Sequence, residues 1–172
     1  MRYRFTGLNE YIDKLVTLSN AFNADVCIEN AITKGSEVVA DYTVKELKNL
    51  PTDDTPGRID KRKGIRSIQK AFLVKEFGVS PLDRKGSFIN RKTGVDRGVL
   101  RYSNSYGYTP AVVIARSLET GTSFMPKNPV FTRASRKART PCLEAMQQSL
   151  NEDIARIMIN NEKRLRRREL NG

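Results

Sequence analysis

Two stretches of this chain repeat apolar residues at helical spacing, far longer than any strand-like run in it. In the first, Ile28, Ile32, Gly35, Val39 and Tyr42 step by 4, 3, 4 and 3 residues, which places them on one helical face. Asn23 can cap the start, Leu47 and Leu50 extend the pattern to about 26 residues, and Pro51 stops it. In the second, Leu143, Met146, Leu150, Ile154 and Ile157 step by 3, 4, 4 and 3. Asn128 can cap this helix with Pro129 at its first position, and Thr140-Pro141 either kinks or restarts it. Its apolar stripe ends near Met158, and beyond Asn160 the chain is polar and basic. Gly35 on the first stripe reads either as a site of close packing or as a tolerated glycine.

The segments around these helices are shorter. Arg2–Thr6 alternates as a short strand does, and Asn9 can cap a helix carrying Tyr11, Ile12, Leu15, Val16 and Leu18. Residues 51–63 hold turn formers and then bases, the composition of an exposed loop. Ile65, Ile68, Phe72 and Phe77 suggest a short helix over 64–77. A strand is expected at Phe88–Val95 and a turn at Asn104–Tyr108. Pro110–Leu118 reads as a strand buried on both faces, because Ala-Val-Val-Ile-Ala is apolar throughout. Residues 119–123 then form a turn. The order of helices, small sheet and helix predicts an α+β fold: a small, mostly antiparallel sheet packed against two long helices, with extended loops. Residues 1–160 are read as one domain and residues 161–172 as a basic C-terminal helical extension.

Composition narrows the chemistry. The 172 residues include no His and no Trp, which removes His-based triads and metal sites. Cys27 and Cys142 cannot build a zinc site by themselves; they read as reduced thiols, with a Cys27–Cys142 bridge as the alternative. No run of about 18 apolar residues occurs and the basic start lacks an apolar signal core, so the chain is expected to stay where it is made.

The formal charge of +12 is unevenly distributed. Residues 1–57 carry six basic and nine acidic side chains, a net of −3; residues 58–92 carry eleven and three, a net of +8. Residues 127–140 hold five bases and no acid (Lys127, Arg133, Arg136, Lys137, Arg139), and the tail contains Arg164, Arg166, Arg167 and Arg168. Such clusters attract a polyanion through counterion release. They also suit acidic faces of neighbouring subunits, or simply keep the surface solvated.

Catalytic signatures are scarce. No phosphate-binding glycine loop of either common type occurs. Ser67-Ile68-Gln69-Lys70 and Lys92-Thr93-Gly94 match two elements of penicillin-recognising enzymes, but the third element, Tyr102-Ser103-Asn104, stands out of order and the spacings are too short. Ser67 and Lys70 are therefore read as the solvent face of a helix. Asp53-Asp54 and Glu152-Asp153 are adjacent acids in a turn and on a helix surface, not carboxylates held across a cleft.

Val112–Ala134 holds Glu119-Thr120-Gly121-Thr122, a short loop with Met125-Pro126, and then Pro129-Val130-Phe131. This pattern resembles the tailed-phage family typified by gene product ten of phage HK-97, small head–tail joining or tail-completion proteins of the virion neck. The opening Gly7-Leu8-Asn9-Glu10-Tyr11 and the run into Leu50-Pro51-Thr52-Asp53 are similar to that family as well. So is Lys63-Gly64-Ile65 through Phe77-Gly78-Val79-Ser80-Pro81, in a branch from phages and prophages of low-GC Gram-positive hosts. The likeness spans most of residues 5–160. Pro129–Ala134 lacks the second proline of the family's Pro-Phe-Leu-Arg-Pro-Ala, and Asp54-Thr55-Pro56-Gly57 stands where the family has Thr-Gly.

The resemblance implies a structural role without catalysis or cofactor: a ring-forming neck subunit, six-fold in the family, acting in tail completion or as a tail terminator. Its partners would be the connector or stopper, the tail tube and in some tails a sheath, with genomic DNA passing through the lumen and no membrane involved. It would assemble in the host cytoplasm and reside in the virion. The turn residues carried over are Glu119, Gly121, Thr122, Pro126, Pro129 and Phe131. The candidates for contact with partner proteins or DNA are Arg133, Arg136, Lys137, Arg139, Arg164, Arg166, Arg167, Arg168, Lys61, Arg62 and Lys63. The alternative function from charge alone is a basic protein that binds double-stranded DNA.

Overall fold

A computed structural model describes residues 24–55, 63–86, 88–95, 98–101, 108–123 and 125–170. The expected strand at 2–6, the helix from Asn9 and the turn at 104–107 lie outside these residues. The described order is α1 (Ala24–Lys48), α2 (Ser67–Glu76), β1 (Phe77–Val79), β2 (Asp83–Lys85), β3 (Phe88–Asn90), β4 (Thr93–Val95), β5 (Val99–Arg101), β6 (Tyr108–Pro110), α3 (Ala111–Thr120) and α4 (Val130–Leu170). The architecture is α+β, as expected: long helices and small antiparallel ladders.

α1 and α4 pair antiparallel and dominate the packing. Asn30 donates to Asp153 near one end of the pair and Glu46 meets Arg133 near the other. The buried line of α1 is Cys27, Ala31, Gly35, Ser36, Thr43 and Leu47; it crosses the expected stripe at Gly35, lying one residue before it at Cys27 and Ala31 and one after it at Thr43. Ile28 is exposed, and Ile32, Val39 and Tyr42 are half-buried. The reason is at Gly35: a Cβ there would lie 2.6 Å from Met146 Cγ and 3.0 Å from Cys142 Sγ. Small residues let the two backbones approach, and the branched side chains flank the seam. Gly35 is thus a site of close packing.

α4 is one helix of 41 residues that runs through Pro141 without a break, about 60 Å long at 1.5 Å per residue. Val130, Ala134, Ala138, Asp153 and Asn161 are its buried positions, whereas Leu143 stands exposed. The basic segment past Asn160 continues the same helix.

The expected strand Pro110–Leu118 is instead helix α3, preceded by extended Pro110. Ala111, Ile114, Ala115 and Leu118 are buried, a spacing of i, i+3, i+4 and i+7, while Val112 and Val113 are 51% and 50% exposed. The apolar run hid a helical period, because two of its valines face out. Phe88–Val95 is likewise not one strand but β3 and β4. β1–β4 and β2–β3 form successive parts of one long hairpin with Gly86 in its turn. Between them Ser80–Leu82 oppose Arg91–Lys92, three residues against two. Pro81 cannot donate there, so Ser80 holds the strands: its amide donates to Lys92 O (2.8 Å) and its hydroxyl oxygen accepts from the Lys92 amide (3.0 Å). β5–β6 is a third ladder.

The core lies where α2, α3 and the ends of the long helices meet: Leu47, Leu50, Ile65, Leu73, Ala111, Ile114, Ala115, Leu118 and Val130, flanked by Phe72, Phe77 and Phe131. The short helix is correct in kind, but Phe77 belongs to β1 and Ile68 is exposed. Cys27 and Cys142 are free thiols; burial pushes the Cys142 thiol above its ordinary value, which lowers its nucleophilicity.

Candidate functional site

The residues singled out between Glu119 and Phe131 converge on the junction of α3 and α4. Glu119 lies in the last turn of α3, which runs on to Thr120 so that the expected turn begins only at Gly121, and its carboxylate accepts hydrogen bonds from the Phe131 amide (3.1 Å), the Thr132 amide (3.0 Å) and the Thr132 hydroxyl. These amides open α4 and have no partner within the helix, so the carboxylate caps it and complements its dipole. The cap is Glu119, 12 residues away from Phe131, in place of the expected Asn128. Gly121 closes α3 at φ 77°, with its amide on Ser117 O at 2.9 Å. A Cβ at Gly121 would sit 3.0 Å from the Lys127 amide nitrogen, so both backbone angle and space select glycine. Thr122 and Met125 exchange backbone hydrogen bonds, and Asn128 N returns to Leu118 O at 2.8 Å. Pro126 is exposed on this loop and Pro129 is half-buried before the helix. Phe131 stacks on Phe77 at 5.9 Å between ring centroids. The motif therefore fixes the angle at which α4 leaves the core.

The basic residues divide into two sets. Arg133 Nε and Lys137 Nζ each donate to the Glu46 carboxylate at 2.6 Å, and Arg133 also reaches Asn128 Oδ1 at 3.1 Å. These two cations hold the Glu46 carboxyl below its ordinary value of 4.5. Arg133 and Lys137, expected as contacts for a partner or DNA, pair with Glu46 and so bind α4 to α1 within the chain. Arg136 and Arg139 are both exposed and make no ion pair among the described residues. Arg164, Arg166 and Arg167 are exposed on the last turns of α4, Arg168 continues that helix, and Lys63 is exposed beside Asp53. Lys61 and Arg62 lie outside the described residues. Glu46 was not singled out from sequence, because its partners stand 87 and 91 residues away and no local spacing reveals them.

The residues of the apparent Ser-x-x-Lys motif have structural roles. Ser67 donates its amide (2.8 Å) and hydroxyl to Asp54, capping α2, and Lys70 Nζ donates to Leu50 O at 2.8 Å. The Ser67 contacts hold Asp54 below its ordinary value. Asp53 accepts from the amides of Thr55 (3.2 Å) and Lys63 (2.9 Å), closing the loop between α1 and α2. Thr52 bridges Ile65 in parallel there. Among the described residues no cluster of three or more His, Cys, Asp or Glu has the arrangement of a metal site. No described helix is long and apolar enough to cross a membrane.

What the surface does offer is exposed apolar area. Val26 and Ile28 on α1, and Leu143, Ile154, Met158 and Ile159 on α4, are all exposed. Comparison with family models, curated proteins and solved structures finds no match to this chain.

Proposed function

We propose that this chain is a virion structural protein of a tailed phage, a ring-forming neck subunit that joins the head connector to the tail. The observation that carries the reading is the α3–α4 junction. The residues with the family likeness (Glu119, Gly121, Thr122, Pro129 and Phe131) act together as one device that orients a 41-residue helix. A protein whose most specific residues aim a long helix is suited to presenting surface. That surface carries exposed apolar side chains and the cations Arg136, Arg139, Arg164, Arg166 and Arg167, which an assembly partner with acidic patches would cover. Ring closure would need two different faces meeting head to tail, and the acidic front and basic middle of the chain suit that requirement.

The test mixes the purified protein with tail tubes and with connector-bearing heads, read by negative-stain microscopy and mass photometry. Rings, or caps at one end of the tubes, are expected. Arg136→Glu with Arg139→Glu should reduce joining while leaving the monomer folded. A protein that ignores heads and tails yet binds duplex DNA tightly, with steep salt dependence, would overturn the reading in favour of the DNA-binding alternative.

A further inference from the structure

The ladder of β1 and β4 has an outer face that neither backbone angle nor packing accounts for. Phe77 pairs with Val95 and Val79 with Thr93, and Phe77 and Val95 turn inward against the core. Alternation sends Gly78 and Gly94, directly opposite each other, to the other face. Both are exposed, and a Cβ at either would meet nothing within 4 Å. Neither has the positive φ of Gly86 or Gly121. Glycine inside a strand weakens it. Where no bend or bulge demands it, it marks close approach by another backbone or a ligand.

A groove of about 610 Å³ runs along these strands, and its lining includes Lys75, Gly78, Ser80, Pro81, Lys92 and Gly94. Lys92 stands two residues from Gly94 on the same face. Lys75, in the last turn of α2, stands at the opposite end of the ladder. Both lysines are exposed and make no ion pair among the described residues. The one acid among the described lining residues, Glu76, is half-buried against Gly98. The groove thus carries a positive charge at each end and two residues without side chains between them.

We infer that this groove docks an extended acidic segment of a partner protein, with an aromatic ring laid on Gly78 and Gly94. A planar ring covers two bare residues across a strand pair, as aromatic side chains do for glycines within sheets. In an extended segment, residues two apart share a face and lie about 6.6–6.8 Å apart. A carboxylate two residues from the ring therefore comes level with Lys92, and one two residues to the other side approaches Lys75. The recognised pattern is acid, any residue, aromatic, any residue, acid. A nucleic-acid strand fits less well. Single strands stack their bases on exposed aromatic side chains, whereas the aromatic residue of this groove, Phe77, is stacked inward on Phe131. The docking uses a face other than the α3–α4 junction and needs no neck role.

The full-length protein, isotope-labelled, is titrated with the synthetic peptide Ser-Glu-Ser-Trp-Ser-Glu-Ser and followed by NMR. The α-proton signals of Gly78 and Gly94 should move upfield and saturate, as a ring stacked above them requires. Replacing Trp by Leu, or both Glu by Lys, in the peptide should abolish the shift. Gly94→Val, whose side chain enters open space, should keep the native circular dichroism and weaken binding about tenfold. Lys75→Glu with Lys92→Glu should lose the Glu peptide and gain the Lys peptide, a swap that misfolding cannot produce. No shift at the two glycines up to about 5 mM peptide, equal binding of the Leu peptide, or unchanged affinity in a folded Gly94→Val overturns the proposal. So does a single-stranded oligonucleotide that moves these signals when the peptide does not.

Discussion

The two ends of the chain's packing are built on different principles. The core around α2 and α3 is filled by Leu47, Leu50, Ile65, Leu73, Ile114 and Leu118, large side chains removed almost wholly from water. The α1–α4 seam is lined by Cys27, Ala31, Gly35, Ser36, Thr43, Ala134 and Ala138, small or polar, and relies on close backbone approach. Burial stabilises in proportion to apolar area, so each seam residue contributes less than each core residue. The seam is extended instead with specific polar contacts, Asn30 to Asp153 at one end and Glu46 to two cations at the other. A core of large side chains specifies where the elements meet. A seam of small ones specifies how closely two long helices lie, and leaves several of their larger apolar residues exposed.

Three substitutions sharpen this contrast. Leu47→Ala, in the core, should cost about 2–5 kcal/mol in urea unfolding, because a fully buried Leu loses its transfer energy and leaves a cavity. A loss below about 1 kcal/mol would mean the core is looser than its burial indicates. Gly35→Val, in the seam, should cost about 1–3 kcal/mol through overpacking against Met146 and Cys142. Met146→Ala added to it should recover part of that loss; no recovery would place the strain elsewhere.

Glu46→Gln should have the smallest effect at neutral pH, since the Arg133 and Lys137 side chains are 42% and 55% exposed and solvent screening keeps the contribution of such pairs small. Its value is in the pH dependence. Glu46 is held below 4.5 in the folded state, so its stabilisation is present above that value and disappears as the pH falls through the lower folded-state pKa. The stability difference between wild type and Glu46→Gln should therefore narrow on acidification below the ordinary carboxylate range. A difference independent of pH there would show that Glu46 acts through packing and not through its charge.

The long helices were legible from the chain because their signals are local. Helical periodicity, Pro51 after the first and Pro129 before the second are read within a few residues, and the structure follows them closely. The α3 segment was misread because an unbroken apolar run carries no period of its own. Only the neighbours decide which of its faces is buried, and they select Ala111, Ile114, Ala115 and Leu118. The same limit applies to Pro141. In isolation it marks a break, yet the helix continues through it, where α1 packs along one side.

The candidate site divides the same way. Gly121 was identifiable as a turn residue, since a glycine within Glu119-Thr120-Gly121-Thr122-Ser123, between an apolar run and the Asn128-Pro129 helix start, is a local turn signal, and its φ of 77° fits that reading. The cap that Glu119 places on α4 and the pairing of Glu46 with Arg133 and Lys137 join residues 12 to 91 positions apart. A charge cluster in sequence gives position along the chain but not direction. Whether Arg133 meets Glu46 while Arg136 stays exposed depends on the rotation of α4 against α1, which close packing at Gly35 fixes. Periodicity and chain breakers thus set the number and length of the long helices, because those depend on backbone and neighbouring residues alone. The rotation of each helix, and with it the identity of the free cations and exposed apolar side chains, follows from which small residues permit two backbones to touch.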